Sequence, residues 1–356
     1  MSCMKRLSTM NSKHILLFGA LLAATAALVS CGNTNRNNKS ITPTQVTDDS
    51  AAASVVYFTR EITPESLVKI YEAVGRKATG RVAVKISTGE MGGHNYLKPE
   101  LIAPLVKKVN GSIVECNTAY GGSRANTAVH KETIKAHGFY DVAPVDIMDE
   151  EGEFQIPVKD DKWIKYDIVG SHLKNYDFMI NLAHFKGHAM GGFGGVLKNT
   201  SIGVASPNGK VYIHSAGKHQ QASESGDLHA PAGWFLSPDK NTPFIESMSA
   251  AAQAVHEYFG GGERILYIDV MNNLSIDCDC DGNPHDPTIQ DIGIAASLDP
   301  VALDKFCLDQ VMSIPKDANN DTKPLLDRIE QRHGIRIVTR GEEMGLGTTS
   351  YRVVEL

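Results

Sequence analysis

The sequence predicts an α/β fold: a mostly parallel sheet covered by helices on both faces, built as one large domain or two smaller lobes. Three observations carry that expectation. Short β-rich runs alternate along the chain with helical patterns, the order that βαβ units produce. Several strand-like runs are continuously apolar rather than alternating, as happens when helices cover both faces of a parallel sheet. The globular part holds about 300 residues, enough for a sheet of this kind.

Taken in order, the strand-like runs are "VVYFT" (55–59), "RVAVKIS" (81–87), "GSIVEC" (111–116), "PVDIMD" (144–149) and "DFMINLA" (177–183). Four more follow: "RILYIDVM" (264–271), "IGIAAS" (292–297), "IRIVTRG" (335–341) and "YRVVEL" (351–356). The first helical pattern is "TPESLVKIYEAVG", with Thr63 placed as a cap and Pro64 at the first helical position, where its missing N–H costs nothing. "KPELIAPLVKKV", "TAVHKETIKAHG", "IESMSAAAQAVHEYFG", "PVALDKFCLDQVM" and "TKPLLDRIEQRHG" are the others. No internal repeat is present.

The formal net charge is −6, with both signs scattered and no basic stripe, which argues against nucleic acid as a partner. At the N-terminus, Lys5, Arg6 and Lys13 precede an apolar run from Ile15 to Val29. A basic segment followed by a short apolar one describes a secretory signal over residues 1–30. The run is too short for a membrane span of about 20 residues. Leu28-Val29-Ser30-Cys31 resembles the bacterial lipobox, which implies a lipid on Cys31 and a chain anchored in the cell envelope, facing the periplasm or the exterior. Residues 31–54 are Asn-, Thr- and Ser-rich and read as a flexible tether, with the α/β domain over 55–356. Four cysteines remain: Cys116, Cys278, Cys280 and Cys307. They are too few for a disulfide scaffold. The one-residue spacing of Cys278 and Cys280 is awkward for a structural disulfide and workable for a metal.

Ligands of open α/β sheets gather at the carboxyl ends of the strands, so three loops stand out. The first, "NTAYGGSRANTAVH" (117–130), offers Arg124 as a planar clamp for a carboxylate or phosphate. Asn117, Thr118 and Asn126 add hydrogen-bonding groups, and the helix starting near Asn126 presents its amides to an anion. The second, "HFKGHAMGGFGGVLKN" (184–199), carries His184, His188 and Lys198 among five glycines that argue for a loop. It matches neither the Walker phosphate loop nor the dinucleotide fingerprint. Five of the thirteen histidines fall between His184 and His229, which makes metal binding an alternative to a solvated surface there. The third, "DCDCDGNPHD" (277–286), begins like a calcium loop at Asp277, Asp279 and Asp281, but Thr288 stands where the bidentate Glu belongs. Cys278, Cys280 and His285 offer a softer metal or iron–sulfur ligation instead. His94, in "STGEMGGHNYLKPE", is a further candidate for proton transfer.

Together the three loops, with "DIGIAASLDPVALDKFCLDQV" after them, resemble the family called domain of unknown function 362, whose members are often described as iron–sulfur-centre proteins. That resemblance implies an α/β fold. Many relatives carry a ferredoxin-type cysteine array after the glycine loop; this chain has His214, His219 and His229 in that region, which puts a ferredoxin-type cluster in doubt. A shorter stretch is similar to nickel-dependent lactate racemase, with His188, Gly192, Phe193 and Lys198 at matching positions. In that family the histidine helps to hold nickel and the lysine attaches to a pincer cofactor.

These readings converge on an exported lipoprotein that is a metal- or cofactor-dependent enzyme acting on a small anion such as a hydroxy acid. Arg124 clamps the anion with Asn117, Thr118 and Asn126. His94, His184 and Lys198 handle protons or cofactor, and His188, Asp277, Cys278 and Cys280 hold nickel, zinc, iron or calcium. The alternatives are a redox or metal-binding module at Cys278 and Cys280, and a non-catalytic ligand-binding lipoprotein.

Overall fold

Leu266, Ile268 and Val270 point to one side of their strand, and Ile265, Tyr267 and Met271 to the other. This two-residue period divides the core of the computed structural model, which describes residues 53–222 and 238–356. The signal, the tether up to residue 52 and His229 lie outside the described residues.

The chain runs β1 (Ser54–Thr59), α1 (Pro64–Val74), β2 (Val82–Lys85), α2 (Pro99–Lys108), β3 (Ser112–Glu115), α3 (Thr127–Ala136) and β4 (Val145–Ile147). A hairpin of β5 (Glu153–Pro157) and β6 (Tyr166–Gly170) precedes β7 (Phe178–His184), and a second, of β8 (Lys186–His188) and β9 (Gly192–Gly194), follows it. Then come α4 (Val196–Ser201), α5 (Pro207–His214), α6 (Pro238–Tyr258), β10 (Ile265–Met271) and β11 (Gly293–Ser297). The chain closes with α7 (Pro300–Ser313), α8 (Lys323–Gln331), α9 (Arg336–Glu343) and β12 (Tyr351–Glu355).

Eight strands form one sheet in the order β12-β1-β11-β10-β7-β2-β3-β4. Every pairing is parallel except the two made by β11, which runs antiparallel to both β1 and β10. One face packs Leu67 and Ile70 of α1, Ile102 and Leu105 of α2 and Ile134 of α3 against β2, β7 and β10. The opposite face packs Leu197 of α4, Met248 of α6, Phe306 of α7 and Ile337 of α9. The expected two-faced, mostly parallel sheet is therefore present, and the described residues belong to one compact unit rather than two lobes. No helix among them is long and apolar enough to cross a membrane.

Local chemistry explains the boundaries. Thr63 Oγ1 accepts the Ser66 amide at 3.0 Å, Pro64 opens α1, and Gly75 closes it in the left-handed region, as capping rules require. Asp299 accepts the Val301 and Ala302 amides at the start of α7 and also the Thr348 amide and the Ser54 hydroxyl. One carboxylate thus joins the start of α7 to β1 and to the turn that leads into β12.

Two sequence expectations are corrected. The run 335–341 is helix rather than strand, because Ile337, Val338 and Gly341 are the positions it buries while Ile335 stays exposed; that spacing is helical, and the β-branched composition conceals it. The stretch 184–199 is not a loop but the end of β7, the β8–β9 hairpin and the start of α4. Its glycines serve close packing. A Cβ on Gly187 would lie 2.1 Å from the Ile276 carbonyl oxygen, and one on Gly195 would lie 2.3 Å from Asp304 Oδ1.

Candidate functional site

Strands β2, β3, β7 and β10 run parallel and in register, so Lys85, Glu115, His184 and Met271 end them at one edge of the sheet. Beyond that edge, their loops together with α4 and α5 line an open cavity of about 310 Å3. Asp304 sets the start of α4 by accepting the Val196 amide at 2.8 Å and the Leu197 amide at 3.1 Å. Lys198 and Asn199 consequently face the cavity from the first turns of that helix.

Most of the charge around the cavity is already committed. Glu115 accepts from Lys85 Nζ at 3.1 Å, Arg124 Nη1 at 3.3 Å and the Thr88 amide at 2.7 Å. Burial alone would raise its carboxyl, but Lys85 and Arg124 outweigh that and hold it at about 2. Arg124 also donates through Nε to Glu90 at 3.2 Å and through Nη2 to the Tyr120 hydroxyl at 2.9 Å. The arginine expected to clamp an anion is thus shared between two carboxylates of its own chain.

A second cluster ties the third loop to the sheet. The Asp279 carboxylate accepts Lys186 Nζ at 2.8 Å and faces His184 Nδ1 at 2.8 Å, while His184 Nε2 faces the Asn272 carbonyl at 2.6 Å. Burial pushes the Asp279 carboxyl up, but Lys186 and His184 hold it well below the usual carboxylate range. Both ring nitrogens of His184 are engaged, which removes it from the proton-transfer role its sequence position suggested.

Two lysines have no such partner. The Lys198 side-chain amine makes no hydrogen bond or ion pair among the described residues. Burial, then the neighbouring Lys186 charge, lowers its amine to about 7. Among the described residues Lys210 donates only to the Ala205 carbonyl, and burial lowers its amine as well. Lys198 is the available amine of this cavity.

His188 lies on the cavity wall with Cys278 and Cys280, and ligand atoms of the three fall within 4.8 Å of one another. This is a candidate metal group of N and S donors, which suits zinc or nickel better than a hard cation. Two features of the described state oppose loading. Cys278 and Cys280 are joined as a disulfide, correcting the expectation that their spacing disfavours one. His188 Nδ1 accepts the Met190 and Gly191 amides at 3.2 and 2.8 Å, which leaves the hydrogen of the neutral ring on Nε2. Asp277 is not in the group: it faces His285 Nδ1 at 2.5 Å and lies 4.0 Å from Arg328 Nη1. Nor do Asp277, Asp279 and Asp281 form a candidate ion-binding group among the described residues, so the calcium reading is not supported.

The remaining expected residues have local duties. Asn126 Oδ1 caps α3 by accepting the Val129 amide at 3.2 Å. Asn117 donates to Thr127 Oγ1 and Asp149 Oδ2, both at 2.9 Å, and its carbonyl faces His130 Nδ1 at 3.1 Å. Thr118 does line the cavity. His94 lies off the cavity wall, half exposed and 3.3 Å from Asp286. Sequence reasoning overlooked Lys85, Glu115, Lys186 and Lys210. The first two carried a signal: a single charge closing an otherwise apolar strand.

Residues 82–309 match the family model described as Domain of unknown function (DUF362). No sequence among the curated proteins matches the chain. Among solved structures, lactate racemase apoprotein from Thermoanaerobacterium thermosaccharolyticum is similar at 16% identity and a TM-score of 0.37, over 60% of this chain and 50% of that one. A Thermotoga maritima protein is similar at 11% identity and a TM-score of 0.38, over 79% of this chain and 58% of that one. The chain thus spans only 50% and 58% of the length of these two solved structures. The family match is the stronger finding, since it runs from β2 into α7 and includes every residue of the cavity wall. This chain belongs to the domain of unknown function 362 family.

Proposed function

We propose that this protein is an enzyme of the bacterial cell envelope that binds a small organic anion, such as a hydroxy acid, and moves a proton on it with Lys198. One observation carries the reading: an amine without a countercharge, on the wall of a cavity whose buried carboxylates are all paired. Lys198 and Lys210 attract the anion, because both remain uncompensated where solvent screening is weak. With its amine at about 7, Lys198 exists in both protonation states near neutral pH, the condition for efficient proton transfer. Its neutral form accepts a proton from the carbon or hydroxyl beside the carboxylate. The ammonium so formed then stabilises the negative charge left on the substrate. Asn199, at hydrogen-bond distance from Lys85 and Asn181, holds the neighbouring wall.

The N and S donors of His188, Cys278 and Cys280 support a soft metal as an accessory, loaded only after the sulfurs are reduced and the His188 ring gives up its two amides. The lipid anchor rests on Leu28-Val29-Ser30-Cys31; radiolabelled fatty acid should enter the chain and fail to enter Cys31→Ser.

The enzymatic reading is tested by incubating the protein with hydroxy acids in deuterated water and following label at the carbon beside the carboxylate by NMR. Incorporation that rises with pH through about 7 and disappears in Lys198→Met supports it. Incorporation that survives in Lys198→Met, or that occurs with no hydroxy acid tried, contradicts it.

A further inference from the structure

The bond between Cys278 and Cys280 spans a single intervening residue. A link across so short a loop removes little freedom from the unfolded chain, far less than one closing a long loop. The native loop does not need it either. Asp279, between the two cysteines, is held through its carboxylate by Lys186 and His184 and through its carbonyl by the Glu90 amide at 2.8 Å. The Tyr120 hydroxyl donates to the Cys280 carbonyl at 3.4 Å. Both cysteines nevertheless line the cavity, Cys280 partly exposed, with His188 within 4.8 Å and Lys198 on the same wall. A crosslink that does little for stability and opens onto a ligand cavity is placed for chemistry.

We infer that Cys278–Cys280 is a redox-active disulfide that exchanges with a small anionic thiol admitted to the cavity. The thiol is small because the sulfurs line a cavity of about 310 Å3, and anionic because Lys198 and Lys210 are the cations left uncompensated there among the described residues. In the first step a thiolate attacks the Cys280 sulfur and forms a mixed disulfide. The Cys278–Cys280 bond breaks, and Cys278 leaves as a thiolate that takes up a proton. A second thiolate then attacks the outer sulfur of the mixed disulfide. The small-molecule disulfide departs and Cys280 is released as a thiolate, which is protonated in turn. Two thiols lose one electron each, and the cysteine pair gains both with two protons. The exchange goes beyond the proton-transfer reading and is independent of it, since either can fail with the other intact.

The oxidised protein is mixed with mercaptoacetate or with cysteamine, quenched, alkylated and weighed by mass spectrometry. Each rate is normalised to that of the same thiol with hydroxyethyl disulfide, which removes intrinsic reactivity. The expected result is a folded, fully reduced pair, with a normalised preference for the anionic thiol of roughly tenfold or more. That preference shrinks in high salt and in Lys198→Met. Equal rates for the two thiols, or reduction only in denaturant, would overturn the inference; salt insensitivity in wild type does so even if Lys198→Met fails to fold.

Discussion

The two sides of the cavity spend their charge differently. On one side Glu90, Arg124, Glu115 and Lys85 neutralise one another, as do Asp279, Lys186 and His184 below the third loop. On the other, Lys198 and Lys210 face the same space without a carboxylate partner among the described residues, beside a disulfide that closes a loop of one intervening residue. The first arrangement builds the wall; the second is free to act on what enters. A charged side chain near a strand end therefore says little until its partner is known, because a buried pair is worth most when neither member is missing.

Mutations should separate the two kinds of charge. The largest effect is expected at Asp279: Asp279→Ala strands the Lys186 ammonium and the His184 ring in the interior and should cost about 3–5 kcal/mol, read from denaturant unfolding. Glu115→Gln should follow, at about 3 kcal/mol near neutral pH. Glu115 falls from 4.5 to about 2 on folding, so its contribution is complete above 4.5 and lost as pH drops toward 2. Wild type should therefore lose stability across that window more steeply than Glu115→Gln. Lys198→Met should act in the opposite direction. A lysine whose folded value is lowered binds its proton more weakly than in the unfolded chain, so it destabilises most below about 7 and is relieved as pH rises. Lys198→Met should accordingly raise the melting temperature by about 2 °C or more at pH 6, with a smaller gain at pH 9, as scanning calorimetry would show. The smallest effect belongs to His94→Ala, which removes a half-exposed pair with Asp286 and should change stability by no more than about 0.5 kcal/mol and leave anion binding unchanged. Should Asp279→Ala and His94→Ala cost alike, the distinction between wall and working charge would fail.

Much of this fold is legible in the sequence. Strands β2, β3, β7 and β10 are near-continuous apolar runs, and α1 and α7 carry Pro after a capping residue. The β5–β6 and β8–β9 hairpins are short, and the second is glycine-rich, so neither shows a strand period; α9 hides a helical spacing behind β-branched residues. The site is legible to the level of its loops, since loop position follows from strand position. Which groups remain available is not, because that depends on partners far away in the chain. Arg124 meets Glu90, 34 residues distant, and Lys186 meets Asp279, 93 residues distant. His184 and Lys198 look alike as polar residues of one glycine-rich stretch, yet folding engages both nitrogens of the first and leaves the amine of the second alone.

Calorimetric titration of lactate against its neutral amide, with wild type and Lys198→Met, tests the central claim most directly. The cavity should bind the carboxylate and not the amide, more tightly at pH 6 than at pH 9 as Lys198 loses its proton near 7, and more weakly in Lys198→Met at the lower pH. Equal binding of lactate and lactamide, or a carboxylate affinity that ignores both pH and Lys198, would contradict it.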